Sequence, residues 1–310
     1  MNYIKDLTNY TRTFLLLAVV TAILVHTPQA SANDDAEFIK SAFSGKIETI
    51  KQLLDKGINP NLQNEKGFTA LMVASQYGHA DIVNLLLEKD AKLNLQNAGG
   101  STALIVAAKN GHEAVVNALL DKGAKVDLQT GDGISALMLA AKGGHEGIVG
   151  SLLIKGANVN LQTKEKVTAL MIAALEGRTG IVEKLLAKNA QINTQASDDT
   201  TALYMAARNG HTAIVEALLA KNAATDRLAV NSTTPLYIAA QNGHTDVVRA
   251  LLAKGAKVDL KDKNDATALT MAALLGNTDV VSALIESGAK VDHKAQNGFT
   301  PLILAAQNGH

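Results

Sequence analysis

The sequence of 310 residues has no cysteine and no tryptophan, and only ten of its residues are Phe or Tyr. Without cysteine, the chain has no disulfide, no thiolate metal site and no cysteine nucleophile. It also lacks an excess of either charge, because 29 Lys and Arg balance 29 Asp and Glu. We therefore expect no nucleic-acid partner. The hydrophobic content of 47% indicates a folded chain rather than a disordered one.

One long apolar run lies near the N-terminus, from Phe14 to Val25. The basic residues Lys5 and Arg12 precede it, and the small residues Ala30-Ser31-Ala32 follow it. This order is typical of a secretory signal peptide, so we predict a signal over residues 1–32 with cleavage after Ala32. An uncleaved anchor is the alternative, but the run would reach only about 18 Å as a helix, against roughly 30 Å of hydrocarbon. We therefore expect no stable membrane span after cleavage.

The remaining chain repeats itself every 33 residues without an insertion. The clearest marker is a hydroxyl residue, found at Thr69, Thr102, Ser135, Thr168, Thr201, Thr234, Thr267 and Thr300. A glycine keeps the same step at Gly45, Gly78, Gly111, Gly144, Gly177, Gly210, Gly243, Gly276 and Gly309. A fixed period of this length predicts a repeat array in which stacked copies share one core.

Each copy predicts two short helices. Thr69 is a good N-cap for a helix that begins at Ala70 and stops at Gly78, which can adopt a left-handed turn. A second helix carries an apolar stripe that starts at Ile82 and Val83. Only Gly, Asn or Asp ends it in any copy, as expected for positive φ. The polar stretch that follows, such as Lys92 to Gly100, suits a projecting turn.

These residues resemble the ankyrin repeat, whose motif runs roughly TPLHxAAxxGHxxIVxxLLxxGADVN. The segments Thr234–His244 (TPLYIAAQNGH), Thr69–His79 (TALMVASQYGH) and Val247–Asp259 (VVRALLAKGAKVD) are similar to it. The resemblance implies an all-α solenoid of stacked helix-turn-helix units with projecting β-turn or hairpin fingers. One departure is systematic, because the His that follows Thr-Pro-Leu is replaced in every copy. Its hydrogen bonding must therefore be absent or replaced. The replacing residues are Met72, Ile105, Met138, Met171, Tyr204, Tyr237, Thr270 and Ile303.

The period divides residues 33–310 into one ankyrin domain. We predict a degenerate capping repeat at 34–66 and full repeats at 67–99, 100–132, 133–165, 166–198, 199–231, 232–264 and 265–297. A partial repeat follows at 298–310. There Leu302, Ile303 and Ala305 would lack a partner, so we expect either a truncated sequence or an uncapped end.

Candidate catalytic residues are scarce. Six His fall on one repeat position, but equivalent positions in stacked copies lie roughly 8–10 Å apart, too far to share a metal ion. The ankyrin resemblance makes them turn residues between the helices. His112-Glu113 and His145-Glu146 lack the second His of a zinc motif. The pair Asp198-Asp199 lies on a predicted turn. We therefore predict no catalytic residue, no cofactor and no metal.

The resemblance instead implies a partner surface made by the turn tips and the exposed ends of the first helices, which line a concave face. Large apolar groups and Arg on this face are the most interesting, although a lone surface Leu needs no explanation. A row of Gln at positions 63, 96, 129, 162 and 195 could contact an extended partner or reflect recent duplication, which we favour. Carried over copy by copy, the candidate partner-binding residues are Phe68, Gln76, Tyr77, Lys109, Asn110, Lys142, Leu175, Glu176, Arg208, Asn209, Gln241, Asn242, Leu274 and Leu275.

The sequence therefore predicts an exported, non-catalytic scaffold that binds a partner protein. We expect a periplasmic or secreted monomer. An alternative is a secreted effector that acts on host proteins. A third hypothesis, a metal-dependent or catalytic function on a repeat scaffold, requires a cluster of residues that breaks the repeat pattern, and the sequence shows none.

Overall fold

The computed structural model describes residues 29–310, with side chains described from residue 33. The predicted signal peptide therefore lies outside the described residues, except for its last four. The chain divides into two compact units, one ending at Asn158 and the other spanning Val159–His310. The described residues form seventeen α-helices and no extended strand. None of these helices is both long enough and apolar enough to cross a bilayer.

The unit that ends at Asn158, hereafter the first unit, contains four helix pairs. In each pair a first helix is followed by a second helix. The bounds are α1 (Gln29–Ser44), α2 (Ile47–Asp55), α3 (Ala70–Tyr77), α4 (Ala80–Glu88), α5 (Ala103–Asn110), α6 (Glu113–Asp121), α7 (Ala136–Gly143) and α8 (Glu146–Ile154). The first helices α1, α3, α5 and α7 pack in one row, and the second helices pack in another.

The second unit, Val159–His310, has the same organisation. Its helices are α9 (Ala169–Leu175), α10 (Thr179–Ala187), α11 (Ala202–Arg208), α12 (Thr212–Ala220), α13 (Pro235–Gln241), α14 (Thr245–Ala253), α15 (Ala268–Leu275), α16 (Thr278–Glu286) and α17 (Pro301–Gln307). A 3-10 turn at Val230–Ser232 precedes α13. Within each unit, neighbouring pairs stack as a helical solenoid, which confirms the predicted fold class.

The predicted helix boundaries are confirmed. The hydroxyl of Thr69 accepts a hydrogen bond from the backbone N–H of Met72 at 3.2 Å. The equivalent Thr or Ser caps every later first helix in the same way. Gly78 ends α3 with a φ of 75°. The position that ends the second helix also has positive φ where it is not glycine, as at Asp90, Asn189 and Asn222.

Small residues allow the first helices to pack closely. Ala107 and Ala108 of α5 are fully buried, as are Ala140 and Ala141 of α7. A side chain of one methyl group keeps neighbouring helices near the short end of the usual 8–10 Å separation. The second helices contribute branched residues such as Val116 to the same core. Stability is therefore shared between neighbouring repeats rather than contained in one.

The fingers between repeats are tight turns. In the second finger, Asn97 N–H donates to the carbonyl oxygen of Ser101 at 3.0 Å. Neighbouring fingers are joined, because Ala98 N–H donates to Lys66 and Gly131 N–H donates to Gly99, each at 3.0 Å. The fingers form little β-structure. Among the described residues it consists of one isolated antiparallel bridge, between Gln129 and Ser135.

At the position where the ankyrin motif has His after Thr-Pro-Leu, the replacing residues fall into two groups. Met72, Ile105, Met138 and Met171 are buried apolar side chains and make no polar contact of this kind. In the second unit a hydrogen bond is present: Tyr204 bonds through its hydroxyl to Thr233 Oγ1 at 3.0 Å, and Tyr237 donates to Asp262 Oδ2 at 3.0 Å. Thr270 completes a capping box with Thr267. The hydrogen bond of the motif histidine is therefore absent in some repeats and replaced in others.

The last described helix, α17, leaves apolar residues in solvent. Leu302 is 77% exposed and Ile303 is 41% exposed, as expected for a helix without a neighbour on that side. Ala305 is half-buried instead.

Candidate protein-binding surface

The C-terminal ends of the first helices carry most of the predicted partner-binding residues. In the repeats before the last, these residues follow a buried pair of small residues, either two Ala or one Ala and one Ser, and precede the left-handed glycine, so the fold places them at the same point of each helix pair. We call the set of these helix ends, taken within one unit, the helix-end surface. Phe68 is an exception, because it lies on a finger. There its backbone N–H donates to Asn64 Oδ1 at 2.9 Å.

The helix-end surface of the first unit begins with two aromatic rings. Phe43 and Tyr77 meet edge to face, with ring centroids 4.6 Å apart and an interplanar angle of 79°. Each ring is 41% exposed. Phe43 was missed by sequence reasoning, because the first repeat is degenerate. Its position 33 residues before Gln76 is the signal that could have found it.

Two lysines follow on the next repeats of the same unit. Lys109 and Lys142 each lie one residue before the last residue of their helix, α5 and α7 respectively, and both are half-buried. Burial lowers the pKa of Lys109, and the positive charge of Lys142 lowers it further. Asn110, beside Lys109, is exposed, and its Nδ2 donates to the carbonyl oxygen of Val106 at 2.7 Å. The first unit therefore presents an aromatic region followed by a positively charged region.

The helix-end surface of the second unit is more mixed. Leu175 and Glu176 are half-buried at the end of α9, and Arg208 is half-buried at the end of α11. Leu274 is half-buried, and Leu275 is 46% exposed at the end of α15.

Two of the predicted binding residues in the second unit join neighbouring repeats. Asn209 Nδ2 donates to the carbonyl oxygen of Leu175, and Asn242 Nδ2 donates to that of Arg208, each at 2.8 Å. Both side chains remain exposed, whereas Gln241 is half-buried. Asn209 and Asn242 thus stabilise the stack, and one amide N–H of each is already used.

The repeated histidines join neighbouring repeats and are more than turn residues. His112 Nε2 hydrogen-bonds to the carbonyl oxygen of Gln76 at 2.9 Å, and His244 Nε2 to that of Arg208 at 3.0 Å. His79 and His211 make the same bond to the preceding repeat. These bonds hold the C-terminal end of the preceding first helix, which is where the helix-end surface lies.

The row of glutamines also has a structural role. Gln63 Nε2 donates to the carbonyl oxygens of Gly67 and Gln96, at 2.8 and 3.2 Å. Gln96 repeats the pattern with Gly100 and Gln129. The side-chain amide therefore closes its own finger and links it to the next one. This hydrogen bonding gives the row of glutamines a structural explanation. The sequence had suggested two others, contact with an extended partner and recent duplication.

A second row was missed by sequence reasoning. An Asn or Asp side chain accepts a hydrogen bond from a backbone N–H 31 residues later, as Asn94 does from Lys125 at 2.9 Å and Asn193 from Ala224 at 2.8 Å. The signal was present, since only Asn or Asp occupies this position. The acceptors are Asn61, Asn94, Asp127, Asn160, Asn193, Asp226 and Asp259.

The described residues hold no group of three or more His, Cys, Asp or Glu side chains that could bind a metal ion. Two of the shifted pKa values belong to tyrosines whose hydroxyls make hydrogen bonds between repeats. Burial raises the pKa of Tyr204, and burial together with the Asp262 hydrogen bond raises that of Tyr237. The acid pair Asp198-Asp199 lies on a turn, where Asp198 Oδ1 accepts from Thr200 N–H at 3.2 Å.

The chain belongs to the ankyrin repeat family. The family described as ankyrin repeats (3 copies) matches residues 38–130, 123–196, 180–262 and 256–310. Ankyrin repeats point to a scaffold that binds proteins, and members of the family are in general not catalytic.

Two proteins are similar over shorter stretches. An ankyrin repeat protein of Pseudomonas aeruginosa is 45% identical over 51 residues, which are 15% of this chain and 30% of that protein. An ankyrin repeat-containing protein of Schizosaccharomyces pombe is 40% identical over 43 residues, or 14% and 21% of the two chains. The chain thus spans less than a third of either relative, and neither is named as an enzyme.

Proposed function

We propose that this protein is an exported, non-catalytic scaffold that binds a partner protein through its helix-end surfaces. One observation carries the proposal: within each repeat, the residues around the surface are constant in type, whereas the surface residues vary. The buried pair of small residues and the left-handed glycine recur, but the residue after the pair is Gln76 or Lys109 in the first unit and Leu175 or Arg208 in the second. Folding needs the constant residues, and the varied ones are left to recognise a partner.

The chemistry of the surface supports this proposal. Exposed aromatic and apolar groups, together with Arg, supply much of the binding energy at interfaces, and Tyr77, Leu275 and Arg208 are groups of this kind. The histidine and asparagine bonds described above hold the helix ends in place, so little conformational entropy would be lost on binding. Export is proposed from the order of basic, apolar and small residues in positions 1–32.

The partner can be sought by capture from extracts. The chain without residues 1–32 is immobilised and compared with a variant in which Tyr77, Leu175, Arg208 and Leu274 are all replaced by alanine. The matched control replaces Asn84, Glu183, Arg249 and Ser282, which are exposed on second helices. A protein retained by the parent and by the control variant, but lost with the first variant, supports the proposal. Equal recovery on all three would contradict it.

Export is tested separately in a Gram-negative host that expresses the whole chain. We expect the protein in the periplasmic fraction with an N-terminal residue of Asn33. Full-length protein confined to the cytoplasm would show that export is wrong, and it would leave the binding proposal standing.

A further inference from the structure

Among the described residues, the exposed aromatic side chains are Phe43 and Tyr77, and they lie together. Their centroids are 4.6 Å apart, and Tyr77 also stacks at 6.5 Å and 22° on the ring of His79. His79 Nε2 in turn bonds to the carbonyl oxygen of Phe43 at 3.0 Å. We call Phe43 and Tyr77 the aromatic pair. His79 holds both members in place, Tyr77 by stacking and Phe43 by a hydrogen bond.

Each of the two repeats after the one that contains Tyr77 has a lysine at the end of its first helix. Lys109 and Lys142 occupy one repeat position, and the helices that carry them, α5 and α7, pack side by side. The corresponding residues of the two preceding repeats are Phe43 and Gln76, which are uncharged. Lys109 is half-buried, and both the burial and the neighbouring Lys142 lower its pKa. A carboxylate beside the two ammonium groups would be favoured by their combined positive charge.

The spacing of the repeats indicates how a partner would match this surface. Neighbouring first helices lie roughly 8–10 Å apart. A polyproline II segment advances about 3.1 Å per residue with three residues per turn, so every third side chain returns to the same face after about 9 Å. Side chains at positions i, i+3 and i+6 of such a segment would therefore reach successive repeats. An ideal β-strand would turn alternate members of that series away.

We propose that the helix-end surface of the first unit binds an acidic peptide segment of a partner protein in an extended, polyproline II-like conformation. An apolar side chain of the segment lies on the aromatic pair. Carboxylates three and six residues away face Lys109 and Lys142, with the segment running in either chain direction. The inference depends on the proposed function as a protein-binding scaffold, and it adds the chemical class of the partner.

The test is selection of random 12-residue peptides, displayed on phage, against the chain without residues 1–32. We expect the enriched peptides to carry an apolar residue with Asp or Glu three and six positions away. Affinity of the most enriched peptide is then measured by fluorescence anisotropy. The double variant Lys109→Gln with Lys142→Gln should weaken it about tenfold, and so should Phe43→Ser with Tyr77→Ser. Raising salt from 0.05 to 0.5 M should weaken binding to the parent more than to the lysine variant.

The matched control is Arg249→Gln with Ser282→Ala, at exposed positions of second helices outside the helix-end surfaces, which we expect to change the affinity less than about twofold. Circular dichroism establishes that each variant is folded.

Enriched peptides without an excess of acidic residues, or full binding by the lysine variant, would overturn the inference. Binding that is lost with Arg208→Gln and Leu275→Ser on the second unit, but kept by the lysine variant, would also overturn it, while leaving the scaffold proposal intact. Equal binding of polyglutamate without an apolar residue would show a simple polyanion site and would overturn the role of the aromatic pair. If no peptide is enriched, the inference falls, and capture of whole proteins still decides the proposed function.

Discussion

The imidazole ring of His112 lies against Gly78 of the preceding repeat, where a Cβ atom would come within 2.6 Å of Nδ1. The same ring bonds through Nε2 to the carbonyl oxygen of Gln76 at 2.9 Å. Glycine is therefore required at position 78 for two reasons: its φ of 75° ends α3, and its missing side chain leaves room for the ring. The conformation and the contact between repeats are coupled at this point.

Replacing Gly78 by alanine should destabilise the protein more than the same change at Gly123. Both glycines have positive φ, but a Cβ at Gly123 would meet no atom within 4 Å. We expect Gly123→Ala to cost about 1 kcal/mol, from the left-handed conformation alone. Gly78→Ala should cost about 1–3 kcal/mol more, because the histidine ring must move. Urea unfolding of the two variants measures both values, and equal losses would contradict the proposed packing.

At His244, asparagine should replace histidine better than alanine does. The reason is that Asn277 occupies the equivalent position in the next repeat, where its Nδ2 donates to the carbonyl oxygens of Ala240 and Gln241 at 2.9 and 3.2 Å. His244→Ala should cost about 1–2 kcal/mol, since it loses the bond to Arg208 and leaves the packed ring space empty. His244→Asn should recover about half of this loss. Thermal unfolding by calorimetry compares them, and equal melting temperatures for the two variants would refute the equivalence.

The Asn and Asp row predicts a specific tolerance. Asn193 Oδ1 accepts from the backbone N–H of Ala224 at 2.8 Å, and Asp226 accepts in the same way in the next repeat, from Lys257 at 3.1 Å. Asn193→Asp should therefore leave stability within about 0.5 kcal/mol of the parent. Asn193→Ala should lose about 0.5–1.5 kcal/mol, the usual net value of one hydrogen bond. Chemical denaturation at neutral pH provides the measurement, and the prediction fails if Asp costs as much as Ala.

Ser75 offers a stabilising substitution. Its side chain is fully buried. Within the described part of the chain, its hydroxyl oxygen is the one buried side-chain polar atom that has no hydrogen-bond partner. The equivalent residues in the next repeats of this unit are Ala108 and Ala141. Ser75→Ala should raise stability by about 1 kcal/mol, because the cost of desolvating the hydroxyl disappears. A lower unfolding midpoint in urea would disprove this. The capping hydroxyl of Ser135, which accepts from Met138 N–H, is the control, since Ser135→Ala should destabilise.

Lys109 should give stability a dependence on alkaline pH. Its folded pKa is lowered from 10.5 by burial and by Lys142, so the unfolded state binds this proton more tightly than the folded state. The resulting penalty is fully present below the folded pKa and is relieved as pH rises towards 10.5. We expect the parent to gain stability relative to Lys109→Gln between pH 8 and 10.5. Urea midpoints of both proteins over this range test it, and a constant difference would contradict the assigned cause.

Much of the fold could be predicted from local chemistry. The N-caps such as Thr69, the left-handed glycines such as Gly78 and the Asp or Asn that ends the second helix all act on neighbouring backbone atoms. Their effect depends on residues within about four positions, and repetition every 33 residues makes each signal visible at least eight times. Candidate surface positions followed in the same way, because they lie between two constant markers.

The contacts that organise the helix-end surface could not be predicted in this way. His112 bonds to a carbonyl 36 residues earlier, and Asn209 bonds to one 34 residues earlier. Sequence reasoning placed both as local residues, one in a turn and one free to meet a partner. The row that includes Asn193 was visible as a pattern, but its acceptor role needed the position of the next repeat. The division of the chain into two units after Asn158 could not be predicted either, because the 33-residue period continues across this point without a change.

By itself, the sequence determined the repeat length, the helices, their caps and the burial of the alanine pairs, because these depend on short-range backbone and packing preferences. Only the tertiary structure decided that Phe43 meets Tyr77, that Lys109 is close to Lys142 and that the histidines hold the ends of preceding helices. Those relationships arise when separate repeats stack. Residues more than 30 positions apart then become neighbours, at distances that no local preference specifies.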